Sequence, residues 1–500
     1  MFEPLLKTGQ QTLKNKKSSG GVHRRMKDQF IYAIIIIMSV AFLCSVYACS
    51  RQQPSSIEEL VKETHPSNLK ILLVGIDGAT FSVIKPMIKE GRLPQLKKLM
   101  DEGVQGILKS QEPMLSPCIW TSMVTGKDRK DHGIDSFVVS NPQLPNKNPR
   151  LMNSGHRKTL AIWNIIGPFA KSSGFIGWWT SWPAEKVYGW TISNYLRHDN
   201  ILKWFPEGKV RDHLTYPEAL TNELQPFMVN PMDPPLEEMC ELVALTQEEL
   251  EQVKAAQRAI MGNGLSVYKF SYSVQRSTEE MALHMLKKGQ PDLMGIFLSV
   301  DQVSHHFWHF YRPDEFPPGS VDLIKAQRLG KLIPNLYEHE DRYLSRLLAA
   351  TDPNTVVIIV SDHGFQAVRQ KPELKPVSQV AGYFDTKQLN KKDTVAIGLS
   401  GDHHIDGIFI AQGGPIKKGE LVSASIFDVF PTILALMGLP VPADAKGRVL
   451  TEIIEPAFLE KHPVKHIRSY EGFIKRAKPS VSKDIEPENL DMLRALGYIK

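Results

Sequence analysis

Three apolar runs in this chain each stop at an aspartate: Ile71–Asp77 (ILLVGID), Met294–Asp301 (MGIFLSVD) and Val356–Asp362 (VVIIVSD). Runs without polar alternation read as strands buried on both faces, which is the habit of parallel sheets covered by helices. Gly78 follows Asp77 directly and lets the chain turn where the strand ends. In open α/β sheets, ligands bind outside the carboxyl ends of the strands. One strand-end aspartate is ordinary in such a fold. Three of them, two with histidines nearby, suggest carboxylates and imidazoles gathered at one sheet edge to hold metal. The expected class is therefore α/β, with a central, mostly parallel sheet flanked by helices.

At 500 residues the chain can hold one large domain or two ordinary ones, and 42% hydrophobic residues is ample for a core. The formal net charge of +6 is concentrated at the start, where residues 1–28 carry seven Lys/Arg against Glu3 and Asp28. The rest is close to neutral, which argues against a nucleic-acid-binding body. The four cysteines, Cys44, Cys49, Cys118 and Cys240, show no metal-type spacing and imply no disulfide framework.

Residues 1–25 are basic and polar, and translation starting at Met26 would remove them. Phe30 to Ala48 is a 19-residue run without a charge. It is long enough to span a bilayer, and its basic side predicts a cytoplasmic N-terminus. It also ends Val46-Tyr47-Ala48-Cys49, which resembles a bacterial lipoprotein cleavage box, imperfect at Tyr47. Segment 26–49 is thus read either as a lipoprotein signal, with Cys49 lipidated, or as an uncleaved anchor. Both readings tether the body outside the inner membrane, on the periplasmic or extracellular side. Residues 50–69 read as a polar linker, and the globular body is expected over 70–500.

Within that body, Ser82 to Glu102 is helical, with Pro94 opening a second half. Residues 136–290 are less regular and read mainly as an inserted cap over the sheet edge. Trp178, Trp179, Trp182 and Trp190 concentrate there; packing is the favoured role, an apolar or sugar-binding wall the alternative. Leu236–Ile260 is helical, and Thr246 with Glu249 forms a capping box for a new start. Thr278–Lys288 and Val321–Ala350 are helical, the latter broken near Pro334. Residues 366–398 read as a loop-rich excursion, Gly407–Ala411 as a short strand, and Ser425–Leu436 as a split helix ending at Gly438.

The candidate ligands are Asp77; Asp301 and His305; Asp362 and His363; and His403 in GDHHIDG, with His404 as its competitor. Aspartate and histidine suit Zn²⁺ when no thiolate is offered, and Mn²⁺ is the alternative for an oxygen/nitrogen site. Asp301 and His305 are four apart, so a helical turn after the strand brings both to one place. Six ligands suit two ions, which at roughly 3.5–4 Å apart clamp the attacking and departing oxygens of an in-line displacement. Any one of these residues has an ordinary structural role open to it, such as capping a helix. His306 and His309 read as packing or supporting residues. Ser116, at the start of a probable helix in LSPCIWTSMVTG, is the candidate nucleophile. Its hydroxyl needs a base or a metal to ionise it, and a helix N-terminus favours a phosphoryl group. Thr121, Ser122 and Thr125 lie further into that helix.

The run from Asp77 through SPCIWTSMVTGKDRKDHGI, DQVSH, SDHGF and GDHHIDGIF resembles the alkaline phosphatase superfamily, in particular its type I phosphodiesterase/nucleotide pyrophosphatase family. The resemblance covers roughly residues 70–500, including VFPTILALMGLPVPADAKGRVL and the closing LRALGYI. It implies an alkaline-phosphatase-like fold and two divalent metal ions. One would be held by Asp301, His305 and His403, the other by Asp77, Asp362 and His363. Ser116 falls at the nucleophile position, and the implied reaction is attack on phosphorus, a phospho-serine intermediate and its hydrolysis. Three departures stand out. Many members carry threonine where Ser116 stands. Ile119 occupies a position where nucleotide pyrophosphatases carry an asparagine that binds phosphoryl oxygens, which disfavours nucleotide diesters. Trp120 follows where a smaller polar residue is expected. The C/S-x-P-x-R pattern of sulfatases is not met, so sulfate esters are disfavoured.

These readings lead to a membrane-tethered, two-metal hydrolase of phosphate esters, phosphodiesters foremost. A phospho-headgroup transferase acting on lipid or glycan acceptors is the rival on the same site, motivated by the tether and the tryptophans. A metal-stabilised envelope binding protein is the non-enzyme rival.

Overall fold

A computed structural model describes residues 54–139, 150–196, 212–256, 263–368, 373–376, 394–397 and 399–476. Nine strands form one sheet. From edge to edge they are Leu421–Ser425, Val104–Lys109, Asp406–Gln412, Val356–Val360, Ile71–Asp77, Leu293–Ser299, Ser173–Ile176, Gly189–Ile192 and Thr215–Tyr216. The five strands from Val356–Val360 to Gly189–Ile192 all run parallel. Asp406–Gln412 and the edge strand Thr215–Tyr216 run antiparallel to their neighbours. The sheet is therefore mostly parallel, as the uninterrupted apolar runs require. Every residue of Ile71–Asp77 and Val356–Val360 is buried.

Register explains why three aspartates far apart in sequence share one edge. Gly75 pairs with Val360, so Asp362 comes level with Asp77. Asp77 pairs with Ser299, which leaves Asp301 two residues further on, at the start of helix Asp301–Tyr311. Neighbouring strands lie about 4.8 Å apart, so the three carboxylates crowd together. Gly78 has φ +76°, and a Cβ there would sit 3.0 Å from the Cα of Asp301. Glycine thus allows both the turn and the close approach of the two strand ends.

The helix Ser116–Thr125 is clamped against this edge by Trp120. Its indole is fully buried, edge-on to Trp178 at 5.0 Å and to Phe297 at 5.1 Å between ring centroids. The Trp178 Nε1–H donates to the Trp120 carbonyl. The ring covers Gly75, where a Cβ would come within 2.5 Å of it. A residue larger than glycine in the middle of the Asp77 strand would push this helix off the sheet. Trp120 therefore belongs to the core, which accounts for its departure from the family pattern.

Two boundaries differ from those expected. Residues 136–290 are not mainly a cap: they supply Ser173–Ile176, Gly189–Ile192 and Thr215–Tyr216 to the sheet and the 25-residue helix Gly264–Lys288 beside it. Trp178, Trp179 and Trp182 are buried, so they form core rather than an open wall. Strands of two to four residues carry too little alternation to be read. The packed body also starts before Lys70. Ser56 caps helix Ile57–Glu63, Leu60 is buried, and Ser67 bonds the carbonyls of Leu436 and Met437. A helix this short with one buried side chain leaves no periodic signal.

Other elements fall where expected. Phe81–Lys89 and Pro94–Asp101 split as read, and the Thr246–Glu249 capping box is formed. A 3₁₀ turn, Ile426–Asp428, precedes helix Val429–Leu436. Among the described residues no helix is long and apolar enough to cross a membrane. The basic tail, the apolar run 30–48, Cys49 and most of 366–398 lie outside the described residues.

A buried ion network holds the last described residues to the body. Glu185 accepts from Arg157 Nη2 at 2.6 Å, from Arg476 Nε at 2.5 Å and from the Trp163 indole at 2.8 Å. Burial alone would raise the pKa of Glu185, but the two guanidiniums and the indole override it and hold it at about 2. Because folding lowers this pKa from 4.5, its contribution to stability is complete above about pH 4.5 and is lost as pH falls towards 2.

Two outcomes follow, both read by chemical denaturation. Trp120→Ala should cost roughly 3–5 kcal/mol, since it empties a large buried volume; an unchanged midpoint would show that the clamp is not structural. Glu185→Gln should cost roughly 3–5 kcal/mol at pH 6 by leaving Arg157 unpaired. The gap to wild type should narrow by pH 3, and a gap independent of pH would contradict the assignment.

Candidate active site

Two groups of side chains converge at the strand ends. Asp301, His305 and His403 offer ligand atoms within 4.8 Å of one another, and so do Asp77, Asp362 and His363. These are the two triplets that the resemblance implied. Asp301 Oδ1 lies between them, 3.3 Å from His403 Nε2, 3.4 Å from His305 Nε2 and 4.0 Å from His363 Nε2. His363 Nε2 is in turn 3.5 Å from both Asp77 Oδ1 and Asp362 Oδ2. The rings of His363 and His403 stack at 3.7 Å.

Different elements deliver each group. Asp77 and Asp362 end or follow their strands, and His363 comes next in the chain. Asp301 and His305 share the first turns of helix Asp301–Tyr311, four residues apart, hence on one face. His403 arrives on strand Gly401–His404, which pairs antiparallel with Gly364–Ala367. Alternation along that strand separates His403 from His404. His403 faces the carboxylates, whereas the His404 side chain is 40% exposed and its Nδ1 accepts from the Asp406 amide. His306 and His309 belong to neither group. His306 is buried, and the His309 ring packs on Phe310.

Each imidazole is set in one tautomer by a backbone carbonyl. Nδ1–H of His305 donates to Gly401 O at 2.8 Å, that of His363 to Gly364 O at 3.0 Å, and that of His403 to Met114 O at 3.1 Å. In the neutral rings Nε2 is then the lone-pair nitrogen, and all three Nε2 atoms are aimed into the cluster. His305 Nε2 and His403 Nε2 lie only 3.1 Å apart. The carbonyls that fix this arrangement leave no side-chain trace in the sequence, so reading the residues could not have found them.

The cluster is buried and short of positive charge. Both oxygens of Asp77, Oδ1 of Asp301, Oδ2 of Asp362 and Nε2 of His363 have no hydrogen-bond partner of good geometry. Burial, with Asp301 nearby, pushes the Asp77 carboxyl up to about 8. Burial, with Asp77 and Asp301, pushes Asp362 well above the carboxylate range. Burial opposes ionisation of Asp301 too, but His305, His403 and His363 override it and hold its pKa low. Burial keeps His305 and His363 below the usual imidazole range. Despite burial, the Asp301 carboxylate beside it holds the His403 imidazole above its usual range. Unpartnered buried carboxylate oxygens facing imidazoles whose other nitrogen is already bonded are what divalent cations satisfy, so these residues fit two such ions.

Ser116 is the first residue of its helix and is buried beside Asp77, where its hydroxyl favours the ionised carboxylate. The other hydroxyls of this helix are committed elsewhere. Thr121 donates to Pro117 O, Ser122 to Cys118 O and Thr125 to Thr121 O. Ser122 also meets Nε2 of buried His132, whose Nδ1 accepts from Ile134 N. Leu115 provides no side-chain cap hydrogen bond at the start of this helix, next to Ser116. Ile119 is fully buried. It offers no donor where a family asparagine would reach a phosphoryl oxygen.

Comparison with known proteins follows from this geometry. No curated protein sequence matches the chain. Among solved structures, an inactive variant of murine ectonucleotide pyrophosphatase/phosphodiesterase 5 in complex with AMP aligns at 15% identity and a TM-score of 0.43, over 77% of this chain and 100% of that one. The human form of that protein aligns at 14% identity and a TM-score of 0.42, over 77% and 99%. Phosphonoacetate hydrolase from Sinorhizobium meliloti 1021 in complex with phosphonoformate aligns at 12% identity and a TM-score of 0.41, over 72% and 94%. The family profile described as Type I phosphodiesterase / nucleotide pyrophosphatase matches residues 71–412. That span holds all three strand-end aspartates, Ser116 and His403, and the chain belongs to the type I phosphodiesterase/nucleotide pyrophosphatase family of hydrolases that act on phosphoric ester bonds.

Proposed function

We propose that this protein is a two-cation phosphodiesterase that uses Ser116 as its nucleophile and is tethered outside the inner membrane by its N-terminal segment. The observation that carries the chemistry is the set of buried, unpartnered carboxylate oxygens and carbonyl-fixed imidazoles beside the buried Ser116. The tether rests on the charge-free run Phe30–Ala48 behind a basic start, with Cys49 as the lipidation point if the segment is cleaved.

Asp301, His305 and His403 would hold one divalent cation and Asp77, Asp362 and His363 the other, with Zn²⁺ favoured over Mn²⁺ by the imidazole content. The pair would supply the positive charge that favours an ionised Ser116 and offsets charge building on the phosphoryl oxygens. Ser116 Oγ attacks phosphorus, the bond from phosphorus to the departing alcohol oxygen breaks, and the phosphoryl group is left on the serine. Water then attacks that phosphorus, the serine–phosphorus bond breaks, and Ser116 is regenerated. The helix N-terminus adds its dipole to the anionic phosphoryl group.

Ile119 lacks the donor that nucleotide pyrophosphatases aim at a phosphoryl oxygen, which argues against their mode of nucleotide diester cleavage. The transferase reading drew on the tether and on an aromatic wall, and Trp178, Trp179 and Trp182 of that wall are core. Hydrolysis is therefore the reading kept.

Three outcomes test it. With Zn²⁺ added, bis-p-nitrophenyl phosphate should turn over faster than p-nitrophenyl phosphate; the reverse order would make the enzyme a monoesterase. Ser116→Ala should keep its metal content and lower kcat by roughly 10³-fold or more, and normal turnover would reject this nucleophile. His403→Ala should fall from two bound cations per chain to about one by metal analysis, and unaltered stoichiometry would remove His403 from the ligand set.

A further inference from the structure

Asp301 is the pivot between the two triplets, and only one of its oxygens faces them. Oδ1 points to the three imidazoles and has no hydrogen-bond partner. Oδ2 accepts from Gln302 Nε2 at 3.1 Å. Gln302 is itself buried, so this amide is a built part of the interior rather than a surface contact.

The direction of that amide is set by a chain of partners. Ser299 Oγ donates to Gln302 Oε1 at 2.9 Å and accepts from Asp301 N at 3.3 Å. Ser299 N donates to Gln275 Oε1 at 3.2 Å, and Gln275 Nε2 donates to Glu340 Oε1. A backbone N–H can only donate, so Gln275 has one orientation, with its NH₂ towards Glu340. Turning Gln302 over would set its oxygen against the Asp301 carboxylate, so its orientation is single as well. The relay links helix Leu332–Ala349, helix Gly264–Lys288 and the end of strand Leu293–Ser299 to one ligand.

We propose that Gln302 is the positioning residue that makes Asp301 a one-oxygen ligand. Its amide holds Oδ2 and turns Oδ1 towards the cation shared with His305 and His403. Without it, both oxygens compete for that cation and the carboxylate is free to rotate. The inference rests on the two-cation reading and adds a residue outside the six ligands.

The test is titration of the full chain with Zn²⁺ in competition with a chromophoric chelator. Gln302→Met keeps the volume and removes the amide. It should weaken one of two wild-type sites by roughly 10–100-fold and leave the other in place. At saturating Zn²⁺ it should lower kcat with little change in KM. Ser299→Ala keeps Gln302 and removes only the hydroxyl that points its amide. It should weaken the same site by a smaller factor, and it serves if Gln302→Met does not fold. Two wild-type constants that are unaltered in both variants would overturn the proposal alone. So would a loss confined to the stability of the chelator-treated chain, which is the mark of a merely structural role. A wild-type chain that binds no Zn²⁺ would overturn it together with the two-cation reading.

Discussion

Carboxylates taken out of water at the ends of adjacent strands are the constraint on which the rest of this structure turns. Asp77, Asp301 and Asp362 are all buried, and the register that aligns their strands brings them together. Isolated buried charges of one sign are costly, and a protein answers by neutralising them or by supplying opposite charge. Here the nearest side chains are imidazoles whose Nδ1 protons are already given to carbonyls. The cluster therefore turns carboxylate oxygens and imidazole Nε2 atoms towards one another, and the Asp301 carboxylate holds His403 above its usual range. No lysine or arginine is paired with these carboxylates among the described residues. A site so arranged is stable when something cationic completes it, and the fold around it works to hold the lone pairs in place.

The scaffold that does this also places Ser116, the proposed nucleophile. Trp120 presses the Ser116 helix onto the Asp77 strand, and Gly75 makes room for the ring. At the other end of that loop, Met114 O takes the His403 proton. The serine is thus held from below by core packing and from the side by a bond to a ligand's ring. Near-attack placement depends on rigidity of this kind, because small displacements of a reacting atom cost much in rate. Thr121, Ser122 and Thr125 point to the same division of labour. Their hydroxyls are spent on the helix itself, and the one at its first turn is not.

Much of this was legible in the residues, and the reasons are physical. Strands buried on both faces carry no polar residues, so Ile71–Asp77 and Val356–Val360 announce themselves and their terminal aspartates. The division of the six ligands into two sets of three came from the resemblance to the family, not from the residues alone. What could not be read is whatever depends on register or on the main chain. Choosing His403 over His404 needs the strand's phase, which two adjacent histidines do not disclose. Carbonyls of Met114, Gly364 and Gly401 have no side-chain signature. The short strands near Trp178 and Trp190 looked like a cap because four residues cannot show a period, whereas the packing role favoured for the tryptophans holds for Trp178, Trp179 and Trp182.

The same contrast explains why the departures from the family pattern carry more information than the matches. Matching residues are those that bind charge, and charge chemistry leaves few substitutes for aspartate and histidine at such a site. Ile119 and Trp120 differ because they answer to packing, not to the reaction. Trp120 is accommodated by Gly75, Phe297 and Trp178 together, so the change is distributed through the core. Ile119 takes a polar donor out of the region where phosphoryl oxygens would lie, and the next amides of the helix do not replace it, since Pro117 has none and those of Cys118 and Ile119 bond Leu115 O. On the proposed reading, substrate choice would come from groups that contact the rest of the ester, while the six acidic and imidazole side chains and Ser116 would serve the phosphorus whatever is attached to it.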